Sequence, residues 1–179
     1  MHNLLVVDLE ATCDENNRDF PMEILEFGLA LVCLKERKVV LTHQILVQPI
    51  VSHVTEFCTK LTGHTPESAE NAMTLRHAVS DVSAFVRFND VWVWGSWGDF
   101  DREMVDDQCR KHGLINPLPR QHLNLKQMYS ALRMPGKKGA CGLGKALRNE
   151  HMSFEGREHS GVDDALNTAK LFLLMTRSV

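Results

Sequence analysis

Three segments, far apart in a chain of 179 residues, carry side chains of the kind that hold hard cations. The first is Val7-Asp8-Leu9-Glu10-Ala11-Thr12, at the end of the apolar run Leu4-Leu5-Val6-Val7. Successive side chains of a strand point to opposite faces, so Asp8 and Glu10 project to the same side. An unpaired buried carboxylate is costly, and two side by side also repel. A divalent cation with oxygen ligands, Mg²⁺ or Mn²⁺, offsets both effects. The second segment, Gly95–Met104, holds Asp99 and Asp101. Asp99 also stands where an N-cap would start a helix, so the spacing leaves both acids open. Asp106 and Asp107 further along the same helix read as solvated.

The third segment is Arg157-Glu158-His159-Ser160-Gly161-Val162-Asp163-Asp164-Ala165. A helix starting near Val162 carries Asp164 in its first turn, while a loop leaves His159 free to reach over the same place. Asp163 fits equally well as an early-turn acid favoured by the helix dipole. Each acid taken alone is also consistent with a solvated strand or helix end. Together they form the set that two-metal phosphodiester chemistry requires. Carboxylates hold two cations about 4 Å apart, and a histidine titrating near neutrality takes the proton of the attacking water.

The elements that must bring these segments together follow from the apolar pattern. Leu4–Val7, Ile24–Cys33 and Val39–Val47 read as three strands, the last two joined by a polar turn at Lys35–Lys38. Short helical spacing appears at Thr55–Leu61. A stronger pattern at Leu75–Phe88 places Leu75, Val79, Val82, Phe85 and Val86 on one face. Val91–Trp94 reads as a fourth strand, its Trp92 and Trp94 fitting the core or an interface with the core favoured, and His122–Leu125 as a short fifth. Helices are expected at 101–112, 126–132, 142–149 and 162–177. Strands first and alternation later predict an α/β fold, a mixed five-stranded sheet flanked by helices, in one domain over residues 1–179.

Composition narrows the class further. With 44% hydrophobic and 24% charged residues, the chain reads as an ordinary globular protein; collagen, coiled coil and wholesale disorder are excluded. No apolar run approaches the roughly 18 residues that cross a bilayer, and the start lacks the basic region of a signal peptide. Five dispersed cysteines with no CxxC pair predict reduced thiols in a cytoplasm, without a zinc site. The net charge of −3 argues against charge-driven coating of nucleic acid.

With these residues in view, the chain resembles the DEDDh 3′–5′ exonucleases of the DnaQ-like, ribonuclease-H-like group. The resemblance rests on Asp8–Cys13, on Trp97–Asp101, on Phe57-Cys58-Thr59-Lys60-Leu61-Thr62-Gly63 and on Gly156–Asp164. It is strongest to the branch of histone-mRNA and RNA-interference exoribonucleases and KapD-like proteins. The resemblance implies metal ligands Asp8, Glu10, Asp101 and Asp164, with His159 as general base and two divalent cations, Mg²⁺ or Mn²⁺, as cofactors. It selects Asp101 because the family's second acid follows an aromatic, here Phe100, and Asp164 through its five-residue offset from the histidine. It also implies stacking of Phe57 and Phe100 on terminal bases, a 3′-end pocket lined by Leu61 and Thr62, and sugar contacts from the backbone of Ala11 and Thr12. Phe100 replaces a tryptophan of some members and Ser160 a cysteine. The implied partner is a single-stranded 3′ end, RNA favoured over DNA, and no accessory RNA-binding domain accompanies the motifs.

Two further signals carry less. Gly139–Ala146 nearly matches a P-loop, but Ala146 lacks the hydroxyl for Mg²⁺ and no apolar strand precedes Gly139, so a nucleotide triphosphatase is rejected. Arg133, Lys137, Lys138, Lys145 and Arg148 form a basic stretch opposed only by Glu150. Residues 1–30 hold seven acids against Arg18. An acidic floor facing a basic, strand-guiding wall would account for both.

Overall fold

The computed structural model describes residues 3–136 and 139–177. Lys137 and Lys138, two of the five residues of the basic wall, lie outside the described residues. The chain runs β1 (Asn3–Ala11), β2 (Ile24–Cys33), β3 (Lys38–Gln48), α1 (Glu56–Thr62), α2 (Pro66–Glu70), β4 (Met73–Thr74), α3 (Leu75–Phe88), β5 (Val91–Ser96), α4 (Phe100–Lys111), β6 (Gln121–Asn124), α5 (Leu125–Arg133), α6 (Leu143–Asn149) and α7 (Gly161–Met175). The strands form one mixed sheet in the order β4-β3-β2-β1-β5-β6. β1, β2 and β3 are antiparallel neighbours, whereas β5 lies parallel to β1 and β6 parallel to β5.

The sheet has six strands where five are expected. The extra one, β4, is two residues that pair in parallel with Val47 and Gln48. Two residues are too few to leave a periodic signal in sequence. α2 is also unexpected, although its start is encoded locally: Thr65 and Ser68 close a capping box that spans Pro66, the first residue of the helix. Thr55, Thr74 and Asn124 cap α1, α3 and α5 through their side chains.

Each face of the sheet buries its own core. Leu5, Val7 and Leu9 of β1, with Phe27, Leu29 and Leu31 of β2, pack against Ala78, Val79 and Val82 of α3 and Met104 and Val105 of α4. Leu4 and Val6, with Ala30 and Val32, pack against Tyr129, Leu147, Ala165 and Phe172 of the last three helices. β2 is buried at every position because it is internal to the sheet and covered on both sides.

The expected pairing of Trp92 and Trp94 in the core is only half met. A register shift opposes Asn3 to Val91 but Leu4 to Val93, leaving Trp92 as the extra residue of a bulge. Trp94 is buried and donates its Nε1–H to the Pro119 carbonyl at 3.0 Å, whereas Trp92 is 66% exposed.

α7 lies unusually close to the sheet at its N-terminal end. A Cβ on Gly28 would stand 1.9 Å from the Gly161 carbonyl carbon, and one on Gly161 would stand 2.9 Å from the Asp8 carbonyl oxygen. Only glycine at both positions allows the two backbones to meet. Gly28→Ala should therefore lower the unfolding free energy by about 1–3 kcal/mol; urea denaturation checks this, and an unchanged midpoint would count against the close contact.

Candidate active site

Asp8 and Glu10 continue the β1 face that is apolar at Leu4 and Val6, so they point toward α7 and away from α3 and α4. α7 begins directly over them and holds Asp163 and Asp164 in its first turn. The two adjacent acids have separate roles. Asp163 Oδ2 accepts the Arg157 N–H at 2.9 Å and holds the preceding loop together. Asp164 Oδ2 accepts the His159 N–H at 2.9 Å, which fixes the loop residue against the helix. His159 has φ +62°, a left-handed backbone that non-glycine residues seldom adopt, and its side chain is exposed.

β5 delivers the remaining acid. Its pairing with β1 ends at Val6 opposite Gly95, and the chain turns through Trp97–Asp99 into α4. The Leu9 N–H lies past that ladder, and Asp101 Oδ1 accepts it at 2.9 Å. Asp101 is only 5% exposed. Asp99 occupies the N-cap position of α4 but makes no side-chain cap; it accepts from Asn124 Nδ2 at 2.7 Å and from Arg102.

Asp8, Glu10, Asp101, Asp164 and His159 thus line one cavity of about 410 Å³, with Phe100, Trp97, Phe154 and Glu158 around its mouth. Ligand atoms of Glu10, His159 and Asp164 lie within 4.8 Å of one another. Gly142, Leu143 and Gly144 form another wall, so the segment that mimics a P-loop borders the site without building a phosphate loop. Phe100, 48% exposed, presents a free ring at the rim.

The other expected contact residues, Ala11, Thr12, Phe57, Leu61 and Thr62, do not line this cavity and lie where α1 meets the end of β1. The Thr55 hydroxyl donates to the Cys13 carbonyl at 2.6 Å, docking α1 against the end of β1. Phe57 and Leu61 are half-buried on α1, and Thr62 donates its hydroxyl to the Cys58 carbonyl at 2.9 Å. Thr12 is fully buried: its N–H bonds the Glu23 carbonyl, and its hydroxyl accepts from the Glu23 N–H at 2.8 Å.

The electrostatics are those of a site that lacks compensating charge of its own. Burial, and then the neighbouring carboxylates of Asp101, Asp164, Glu10 and Glu26, push Asp8 well above the usual carboxylate range. Burial and then Asp164 push Glu10 up to about 8, with Arg157 acting weakly in the opposite direction. Burial raises Asp101 to about 6 against the Leu9 N–H, and raises Asp164 to about 6 against the His159 N–H. Four clustered oxygen donors, all with raised proton affinity and two of them, Asp8 and Glu10, raised furthest, fit divalent cations well, because a hard ion removes both the desolvation and the repulsion.

In the sequence Glu26 counts only as one of the seven acids of residues 1–30, with no individual role in the site. Glu26 is fully buried and stands directly across the ladder from Glu10. The available signal was a lone charge inside Ile24–Cys33, otherwise entirely apolar.

Against this fold and site, residues 5–172 match the exonuclease (RNase T) family model, and the chain belongs to that family. It is 32% identical over 180 residues to human ERI1 exoribonuclease 3, covering 95% of this chain and 52% of that protein. It is 28% identical over 184 residues to mouse 3′-5′ exoribonuclease 1, covering 96% and 52%. The chain therefore spans about half the length of the curated relatives it matches. Among solved structures, the nuclease domain of 3′hExo, a DEDDh family member bound to rAMP, superposes with a TM-score of 0.90 at 25% identity, covering 98% of this chain and 92% of that one. Escherichia coli exonuclease I shares the fold with a TM-score of 0.75 at 12% identity, covering 99% and 41%. The α/β, ribonuclease-H-like expectation and the resemblance to the histone-mRNA branch of the DEDDh exonucleases hold, in a family that uses divalent metal ions.

The raised acids give a pH test. Glu10 titrates near 4.5 ordinarily and near 8 in the fold. Between those values the metal-free native state keeps a proton that the unfolded chain releases, so stability falls as pH rises. Thermal melts in chelator should show a Tm that declines from pH 5 to about 8, with added Mn²⁺ raising Tm most at the alkaline end. A Tm that climbs with pH in chelator would contradict the assigned cluster.

Proposed function

We propose that this chain removes nucleotides one at a time from the 3′ end of single-stranded RNA, releasing 5′-monophosphates. The observation that carries this reading is the convergence of Glu10, Asp164 and His159, within 4.8 Å, in a cavity shared with Asp8 and Asp101. Two divalent cations, Mg²⁺ or Mn²⁺, are held by Asp8, Glu10, Asp101 and Asp164. The chemistry they supply when bound is activation of the attacking water and stabilisation of charge on the phosphate and the departing 3′ oxygen.

The protein's own residues do the rest. His159, exposed on its left-handed loop residue, takes a proton from the water that attacks the last phosphodiester. Its backbone bond to Asp164 sets the imidazole against the acid cluster. Phe100 stacks on the terminal base from the rim, and Phe57 on its neighbour. Leu61 and Thr62 line the pocket for the 3′ end. Ala11 and Thr12 serve the terminal sugar through their backbone; the Thr12 N–H is already engaged, so its contact falls to the carbonyl. RNA is favoured over DNA because the two relatives compared above are named exoribonucleases. The cysteines are free thiols, which fits a reducing compartment such as the cytoplasm.

Incubation of purified protein with 5′-labelled RNA and DNA oligomers, with and without Mg²⁺ or Mn²⁺, tests the proposal. A metal-dependent ladder shortening from the 3′ end of RNA is expected, and chelator should abolish it. Asp8→Asn should abolish cleavage, and His159→Ala should reduce kcat by about 10²–10⁴-fold. Activity near wild type in either variant would overturn the site assignment.

Phe100→Ala offers a separate reading on binding. Loss of one stacked base is worth about 1–3 kcal/mol, so KM should rise about 5- to 150-fold with a smaller effect on kcat. An unaltered KM would remove Phe100 from the binding surface.

A further inference from the structure

Resting on the functional reading above, we propose that Glu26, clamped by His64, is a positioning residue for hydrolysis: it caps α7 from outside the helix and so sets Asp164 and His159 against Glu10. α7 has Ser160 at its N-cap, but that side chain makes no cap bond. Glu26 supplies one instead, with Oε1 accepting the Val162 N–H at 2.8 Å. Its other oxygen, Oε2, lies 2.9 Å from His64 Nε2. Gln44 also bonds the carboxylate through its side chain.

The placement is costly unless it positions something. Glu26 adds a fifth carboxylate beside four that already repel, in a strand whose other residues are all uncharged. An apolar side chain would fill the space without repulsion, and a serine N-cap could satisfy the helix end locally. From β2, Glu26 can fix the first turn of α7 to the strand that carries Asp8 and Glu10, because β2 pairs with β1 through Glu26 opposite Glu10. The close approach of Gly28 and Gly161 brings the helix end within reach of the carboxylate.

The clamp also reaches the other half of the site. His64 directly follows Gly63, the left-handed C-cap of α1, whose φ is +79°. Arg157 makes a second tie between the same two regions, donating from Nη2 to the Leu61 carbonyl at 3.2 Å. The helix proposed to receive the 3′ end is thus bonded to the loop that carries the proposed base.

Steady-state kinetics on an RNA oligomer at saturating Mn²⁺, with hydrogen exchange of segment 157–164 measured on the same proteins, tests this. Glu26→Ala should lower kcat about 10- to 100-fold with little change in KM, the range seen when a group that orients an active-site residue is removed. Exchange should quicken in 157–164 but not in β1 or β5. Glu26→Gln keeps an acceptor for Val162 and an amide facing His64, so it should recover most of the rate. His64→Ala, which leaves β2 intact, should lower kcat in the same direction and serves if Glu26→Ala does not fold. Wild-type kcat in either alanine variant, a loss borne by KM alone, or exchange quickened across the whole sheet would overturn the positioning role. Should the wild-type protein yield no ladder, the functional reading fails, and unchanged exchange at 157–164 in Glu26→Ala would separately overturn the cap.

Discussion

Carboxylates buried side by side repel one another, and that repulsion organises the whole molecule. Asp8, Glu10, Asp101 and Asp164 meet where burial raises the proton affinity of all four, and the neighbouring carboxylates raise that of Asp8 and Glu10 further. A fold without other reasons to bring them together would separate them. The sheet, two cores and a set of close backbone contacts supply those reasons, and a divalent cation relieves the strain that remains. Each acid alone would be fully ionised at neutral pH; in the assembled site all four hold protons more tightly, Asp8 and Glu10 most of all.

The two sheet faces divide this labour. The face carrying Leu5, Val7 and Leu9 is filled by α3 and α4 and contributes stability. The face carrying Leu4 and Val6 is filled by the C-terminal helices until Asp8, where apolar packing gives way to acids and the end of α7. Asp101 arrives from the other direction, at the start of α4, and reaches the site by capturing the Leu9 N–H that β5 leaves unpaired. Hydrophobic burial brings the elements together, and a few directional bonds then set the final positions of the acids.

Those directional bonds account for residues that look incidental in isolation. Asp163 and Asp164 are neighbours of the same type, yet one closes the Arg157 loop and the other faces the cavity. Glu23 and Glu26 are three residues apart, yet Glu23 accepts the N–H groups of Ile50 and Val51 in a connecting loop, while Glu26 accepts that of Val162 at the end of α7. The difference is the direction in which the strand presents each side chain, and which chain end happens to pass there.

Much of this was legible in one dimension. The apolar run ending in Asp8 and Glu10 and the periodicity of Leu75–Phe88 act over a few residues, so their consequences follow from local geometry. The motif resemblance chose Asp101 over Asp99 and Asp164 over Asp163, where spacing left both pairs open. Tertiary structure alone decided the rest. The bulge that turns Trp92 outward depends on how β5 registers against β1. The two-residue β4 exists only because β3 offers it an edge. The bond from Glu26 to Val162 joins residues 136 apart in the chain. Local sequence sets the conformation each segment prefers; which distant donor meets a buried carboxylate depends on packing summed over the whole fold.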